Sequence, residues 1–177
     1  MRIACLMASD FEDSEFRVPY DRFRAAGHEV MIIGLKSGQT LRGKHGRESI
    51  PTDQGIDDVS PEDFDALFIP GGYSPDQLRA DRRMVGFVRA FQDRPIFAIC
   101  HGPQLLITAG LVKDRSLTAW QTVQGDLRHA GAQVEDREVV VDDNLVTSRK
   151  PDDLDAFVRE SLRVLGDRRE QPSPPAA

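Results

Sequence analysis

Apolar stretches recur along the chain at strand length: Arg2 to Met7, His28 to Leu35, Phe64 to Ile69 and the uninterrupted Ile96 to Ile99. Runs without polar alternation are the pattern of strands covered on both faces in a parallel sheet. Between them the spacing turns helical. Val18, Phe23 and Ala26 follow an acidic loop and stop at Gly27, Ser74 to Leu78 begins a short helical piece, and Met84 to Phe91 supplies another apolar face. That alternation predicts a doubly wound α/β layer architecture with right-handed crossovers. Further on, Gln104 to Ala109 reads as a helix capped by Gly110, Leu117 to Trp120 as a short strand, and Val123 to His129 as a helix ended by Gly131. Val139 to Val141, the Asp142-Asp143-Asn144 turn and Leu145 to Thr147 give a hairpin, and Leu154, Phe157, Val158, Leu162 and Leu165 mark a closing amphipathic helix. No internal repeat is present. Residues 1–166 are expected to form one domain and 167–177, which include three prolines, a disordered tail.

Composition narrows the class. A chain of 177 residues, 40% hydrophobic, suits one compact domain with a full core. A formal charge of -6, with acids and bases interspersed, argues against a generic nucleic-acid surface. No apolar run approaches the roughly 20 residues that cross a bilayer, so no membrane partner is expected. Two cysteines make a poor disulfide framework, and a working thiol fits a reducing, cytoplasmic compartment.

The chemistry concentrates at Pro95 to Leu106, where a buried strand runs into a sharp turn and then a helix, with Cys100 at the bend. Gly102 permits close backbone approach and Pro103 suits a first helical turn. The order strand, nucleophile, turn, helix follows the logic of the hydrolase nucleophile elbow, with Cys for Ser and Ala98 replacing the outer glycine. Helix-terminal amides and the adjacent His101 are the groups that lower a thiol pKa. Cys5, inside the first strand, reads as core.

Two other strand ends face the same rim, where ligands gather in open α/β sheets. One carries Glu12 and Asp13, which would equally suit a helix N-terminal dipole, with Ser14 as cap. The other is Pro70-Gly71-Gly72, whose Gly71 and Gly72 amides either serve an oxyanion or merely make a turn. His45 lies in the glycine-rich segment Lys36 to Gly46, a loop or hairpin, at the surface or near the site. Trp120 is either core or a pocket wall. No zinc motif, P-loop or dinucleotide fingerprint occurs, and the site is expected to need no metal and no cofactor.

Phe11-Glu12-Asp13, Gly43-Lys44-His45-Gly46, Pro70-Gly71-Gly72, Ile99-Cys100-His101-Gly102-Pro103 and the Val-Val-Val-Asp-Asp-Asn hairpin together resemble the PfpI branch of the DJ-1/PfpI superfamily. The resemblance spans nearly the whole chain and stops at the tail. It implies a flavodoxin-like doubly wound sandwich with a mainly parallel central sheet, the architecture also of class I glutamine amidotransferases, assembled as a homodimer or hexamer. It makes Cys100 the nucleophile, His101 its imidazole partner and Glu12 the carboxyl that hydrogen-bonds the sulfur. Two like charges in contact cannot both persist in a dry site, so the carboxyl is expected to hold the proton. The branch places a glutamate shortly after Pro-Gly-Gly, contributed across a subunit interface; here Asp76, one methylene shorter, stands there.

Members of the branch are proteases, amidases, glyoxalases and deglycases, all beginning with thiolate addition to an electrophilic carbon. For this chain the resemblance favours a stress-defence hydrolase acting on small carbonyl, glycated or peptide substrates. The alternative is a redox-responsive stress protein whose Cys100 oxidises without turnover. A class I amidotransferase would need a late His-x-Glu pair, and no histidine follows His129.

Overall fold

The structure, a computed structural model, describes residues 1–169. Its elements in order are β1 (Arg2–Leu6), α1 (Asp13–Ala25), β2 (Glu29–Gly34), β3 (Thr40–Arg42), β4 (Ser49–Pro51), β5 (Gln54–Gly55), β6 (Ala66–Ile69), α2 (Ser74–Arg79), α3 (Arg82–Arg89), β7 (Ile96–Ile99), α4 (Pro103–Ala109), β8 (Ser116–Leu117), α5 (Gln121–His129), β9 (Gln133–Val134), β10 (Val139–Asp142), β11 (Leu145–Ser148) and α6 (Leu154–Arg169). Seven strands form one sheet in the order β10-β11-β7-β6-β1-β2-β5. All neighbours are parallel except the β10 and β11 hairpin. This is the doubly wound α/β architecture that the apolar runs predict, and the mainly parallel, flavodoxin-like sandwich that the resemblance implies.

The runs are unbroken because each strand feeds two cores. Successive side chains point to opposite faces. Ala4 and Leu6 of β1, Leu67 and Ile69 of β6 and Ile96 and Ala98 of β7 pack with Leu78, Met84, Phe87 and Leu105 on one face. Ile3 and Cys5, Ala66 and Phe68, and Phe97 and Ile99 pack with Phe16, Phe23, Phe157 and Leu165 on the other. Cys5 is therefore core, fully buried, as its strand position implies. On that second face Phe23 of α1 lies edge-on to Phe68 at 5.6 Å and 5.7 Å from Phe97, while Phe157 of α6 closes on Phe68 at 6.2 Å.

Several boundaries differ from the sequence expectation, each for a local reason. Helix α1 starts at Asp13, so Ser14 is inside it and caps nothing. The glycine-rich segment takes the hairpin alternative but extends beyond Gly46: β3 pairs with β4 at Ser49–Pro51, apart from the main sheet. Leu117 to Trp120 yields only two strand residues, which pair with β9 outside the main sheet; Trp120 instead precedes the first residue of α5. Helix α6 continues through 167–169, which thus belong to it rather than to a tail; the tail expected at 170–177 lies outside the described residues. Among the described residues no helix is long and apolar enough to cross a membrane.

Helix α6 enters the second core through Leu154, Phe157, Val158, Val164 and Leu165, of which Phe157 is the largest. Phe157 is wholly buried, and truncating a buried Phe leaves a cavity that costs about 3–5 kcal/mol. Phe157→Ala should lower unfolding free energy in urea by that amount with its slope unchanged; a loss under about 1 kcal/mol would mean the face repacks without it.

Candidate functional site

The elbow after β7 is held in a strained conformation. Cys100 has φ 62°, a left-handed value uncommon for a residue with a Cβ. Three backbone bonds keep it there: Cys100 N–H donates to Ser148 O at 2.9 Å, Trp120 N–H donates to Cys100 O at 2.9 Å, and Gly102 N–H donates to Ile99 O at 2.8 Å. Gly102 has to be glycine, because a Cβ would stand 2.7 Å from Ile69 O and 2.9 Å from Ile99 O. The turn aims the sulfur at the rim of the sheet, 8% exposed, so it is recessed but not sealed.

The groups around the sulfur come from three strand ends. His101 Nδ1 lies 3.3 Å from Sγ, and its ring stacks on Trp120 with centroids 6.3 Å apart. The N–H groups of Gly72 and His101 hydrogen-bond the sulfur. The carboxyl beside it belongs to Glu15, and this corrects the assignment to Glu12. Glu15 is completely buried, accepts from Gly71 N–H through Oε2 at 3.1 Å and hydrogen-bonds Cys100. Its Oε1 has no hydrogen-bond partner, and the carboxyl and Cys100 both stand against Gly71.

Two glycines make this possible. A Cβ on Gly71 would lie 2.2 Å from Glu15 Oε2 and 2.6 Å from Cys100 Cβ. Gly72 has φ 78°, and a Cβ there would meet Asp10 O at 2.4 Å. Only Gly72 keeps its amide for the sulfur side; the Gly71 amide, expected as an oxyanion donor, is taken by Glu15.

The remaining predicted residues sit nearby in other roles. Glu12 Oε2 holds Lys44 Nζ at 2.8 Å and His45 Nε2 at 3.1 Å, so His45 reaches Glu12 rather than the sulfur. Asp76 is bound by Arg79 at 2.8 Å, one turn along α2. Within the chain it acts on His101 only as a nearby negative charge. Trp120 is half-buried: one ring face meets His101, and the ring also lines a cavity of about 270 Å³ with Gln121, Gln124, Asp136, Arg149 and Lys150. It is a pocket wall. Among the described residues no group of three or more His, Cys, Asp or Glu converges as a metal site requires.

The titrations follow from burial. Burial pushes the Glu15 carboxyl up to about 8, with the Glu12 charge adding to it. Burial also raises the Cys100 thiol, and an ionised Glu15 raises it further, while the Gly72 and His101 N–H groups act the other way. Burial lowers His101, assisted by the Lys44 charge and opposed by Asp76, which favours a neutral imidazole.

Glu15 had a legible signal that charge concealed. It lies on the inward stripe of α1 with Phe16, Pro19 and Phe23, the one acid on an apolar face beyond the first residue. A carboxyl there must be paired or protonated.

Comparison with known proteins places this arrangement. The chain is 55% identical over 168 residues to protein/nucleic acid deglycase 2 of Escherichia coli (strain K12), covering 93% of this chain and 98% of that one. It is 52% identical to general stress protein 18 of Bacillus subtilis (strain 168), covering 93% and 97%. Among solved structures, a two-domain protein from Anabaena variabilis ATCC 29413 with DJ-1/ThiJ/PfpI-like and ferritin-like domains superposes with a TM-score of 0.91 at 34% identity. The match covers 97% of this chain and 52% of that one, so this chain spans about half of the two-domain protein. Residues 1–164 match the DJ-1/PfpI family, and the chain belongs to it.

Proposed function

We propose that the protein is a cysteine-dependent hydrolase of stress defence that removes small carbonyl adducts from amines and thiols. The observation that carries this is the contact of Cys100 with the buried Glu15 carboxyl at a strained elbow open to the rim. The names of the two relatives, a deglycase and a general stress protein, support it.

The proton is the first question. A carboxylate and a thiolate in contact, both largely dry, repel strongly, so the pair keeps at least one proton near neutrality. We assign that proton to the carboxyl, which burial pushes up to about 8; burial raises the thiol as well, so an ionised sulfur depends on the donors around it. A neutral Glu15 no longer repels charge on sulfur; its O–H donates to it instead. The Gly72 and His101 N–H groups lower the thiol pKa against burial, which raises it most, and a protonated Glu15 would add a third donor in place of the carboxylate that raises it.

The thiolate then attacks an electrophilic carbon. On a methylglyoxal adduct of an amine, the C–S bond forms at the carbinol carbon as the C–N bond breaks, and the amine departs with a proton relayed through His101. The carbinol hydrogen moves to the neighbouring carbonyl carbon as a proton through an enediol, which turns the hemithioacetal into a thioester. One carbon is oxidised as its neighbour is reduced, so no external oxidant is needed. Water, deprotonated by His101, releases the 2-hydroxy acid and restores the thiol. The oxyanions on this path form beside the Gly72 and His101 amides, where preorganised donors act most strongly.

Peptide amides would share the attack on carbon and the oxyanion donors. One Bacillus subtilis relative, 50% identical, carries the name of a proposed cysteine protease, YraA. Turnover by reduced protein separates the possibilities. Cys100→Ser should abolish release of amine from methylglyoxal adducts, by at least about a thousandfold. Wild-type protein inert on such adducts yet active on peptide amides would replace the deglycase reading with the protease one.

Glu15→Gln tests the proton. It leaves one permanent amide in place of a shared acid, so Cys100 alkylation by iodoacetamide should shift its midpoint, while Glu12→Gln, remote from the sulfur, should shift it less. An identical midpoint in wild type and Glu15→Gln would remove the proposed pairing. Stability gives an independent readout. Because the folded pKa of Glu15 is raised from 4.5 to about 8, the protein has its full acid-side stability below pH 4.5 and loses it as pH rises towards 8. Glu15→Gln should flatten the slope of unfolding free energy across that window; an unchanged slope would show that Glu15 titrates normally.

A further inference from the structure

The loop Gly43-Lys44-His45-Gly46 carries a cation that adduct hydrolysis at Cys100 and His101 does not use. Its seat is rigid. The Asp13 carboxylate, in the first turn of α1, accepts from the N–H groups of His45, Arg47 and Glu48, each at 2.9 Å. Gly43 packs so closely that a Cβ would stand 2.3 Å from Asp13 Oδ1. Lys44 N–H donates to Phe11 O at 2.9 Å, which fixes the loop on the strand end that carries Glu12. A loop pinned this way aims one side chain.

That side chain stands at the mouth of the site. Lys44 Nζ is 2.8 Å from Glu12 Oε2 and 6.0 Å from the centre of the exposed Tyr73 ring, and its side chain is 35% exposed. An ammonium has three N–H donors. Glu12 takes one and shares the same oxygen with His45 Nε2, so the carboxylate steers Lys44 without saturating it. The hydrogen bond to Glu12 raises the Lys44 pKa, and the charges of Cys100 and Glu15 add to that; His101, lowered chiefly by burial, is lowered further by Lys44. The bridges of Phe11 to Gly43 and to Gly72 set this loop beside the turn that faces Cys100, so Lys44 lies next to the reacting groups. The other acid at the rim, Asp76, is engaged by Arg79.

The geometry points to Lys44 as the specificity-determining residue of the mouth, an anion-docking ammonium that favours electrophiles bearing a carboxylate next to the reacting carbon, such as 2-oxo acids and their amine adducts, over neutral ones of the same size. This deepens the reading of Cys100 as the nucleophile and rests on it. Neutral dicarbonyl adducts would still react, but without the attraction of the Lys44 ammonium for a carboxylate.

Iodoacetate and iodoacetamide supply the test without needing turnover. Each reacts with the Cys100 thiolate by forming an S–C bond as the C–I bond breaks and iodide leaves with the electron pair; they are alike in size and differ in charge. Both rates depend on the same thiolate fraction, so their ratio, read by mass spectrometry at Cys100, isolates attraction of the anion from activation of the sulfur. Lys44→Met should lower the iodoacetate to iodoacetamide ratio about threefold to tenfold, the scale of one partly exposed charge nearby. Lys44→Arg should keep the wild-type ratio, and added salt should shrink the ratio in wild type but not in Lys44→Met. Equal ratios in wild type and Lys44→Met, or a loss in Lys44→Arg as large as in Lys44→Met, would overturn the proposal. Failure of the nucleophile reading would look different: slow reaction of wild type with both reagents, which would bring down both together.

Discussion

One buried carboxyl against one sulfur sets the terms for the rest of this molecule. Glu15 is placed in the interior with no solvent to share its charge, and its partners are the Gly71 amide and Cys100. Placing an ionisable group there is costly unless it is neutral or well paired. The features around it follow from that constraint. Gly71 must lack a Cβ so that the carboxyl fits, and Cys100 must take a left-handed conformation so that its sulfur meets the carboxyl instead of the sheet core. The elbow's three backbone hydrogen bonds, one of them to the neighbouring strand β11, hold a geometry the chain would not choose alone.

The acidic start of α1 shows how one short stretch can separate three carboxyl environments. Glu12 stays at the rim and holds Lys44 and His45. Asp13 is buried but accepts three backbone N–H groups, and these hold its carboxyl below the ordinary range against the opposing effect of burial. Glu15 is buried beside an acid and is pushed up to about 8. The helix N-terminal dipole acts on all three and so cannot distinguish them. What distinguishes them is which way each side chain leaves the first turn: towards a cation, towards a loop of amides, or towards a thiol.

Much of this was legible beforehand. The four apolar runs fixed the central strands because a strand fed by two cores has no polar positions to hide, and the Gly102-Pro103 pair marked the turn into α4. The strand at Leu117 is shorter than its apolar residues suggest because Trp120 already caps α5, its indole stacked on His101. The resemblance points to Glu12 because Phe11-Glu12-Asp13 stands out as a motif, whereas Glu15 falls inside a helix whose apolar period it interrupts. Which of two acids three residues apart turns inward depends on where the helix begins, and boundaries are the least legible part of a sequence. The Gly71-Gly72 pair was ambiguous for a related reason: both glycines are sterically required, yet one amide serves the carboxyl and the other the sulfur.

The location of the shared proton is the claim from which the proposed chemistry derives, and infrared difference spectroscopy observes it without a substrate. Wild type compared with Glu15→Gln at neutral pH should show a protonated carboxyl carbonyl band that belongs to Glu15. Wild type compared with Cys100→Ser should show no S–H stretch from Cys100. An S–H stretch from Cys100 in the wild-type protein, or a Glu15 signal in the carboxylate region, would put the proton on sulfur and contradict the account.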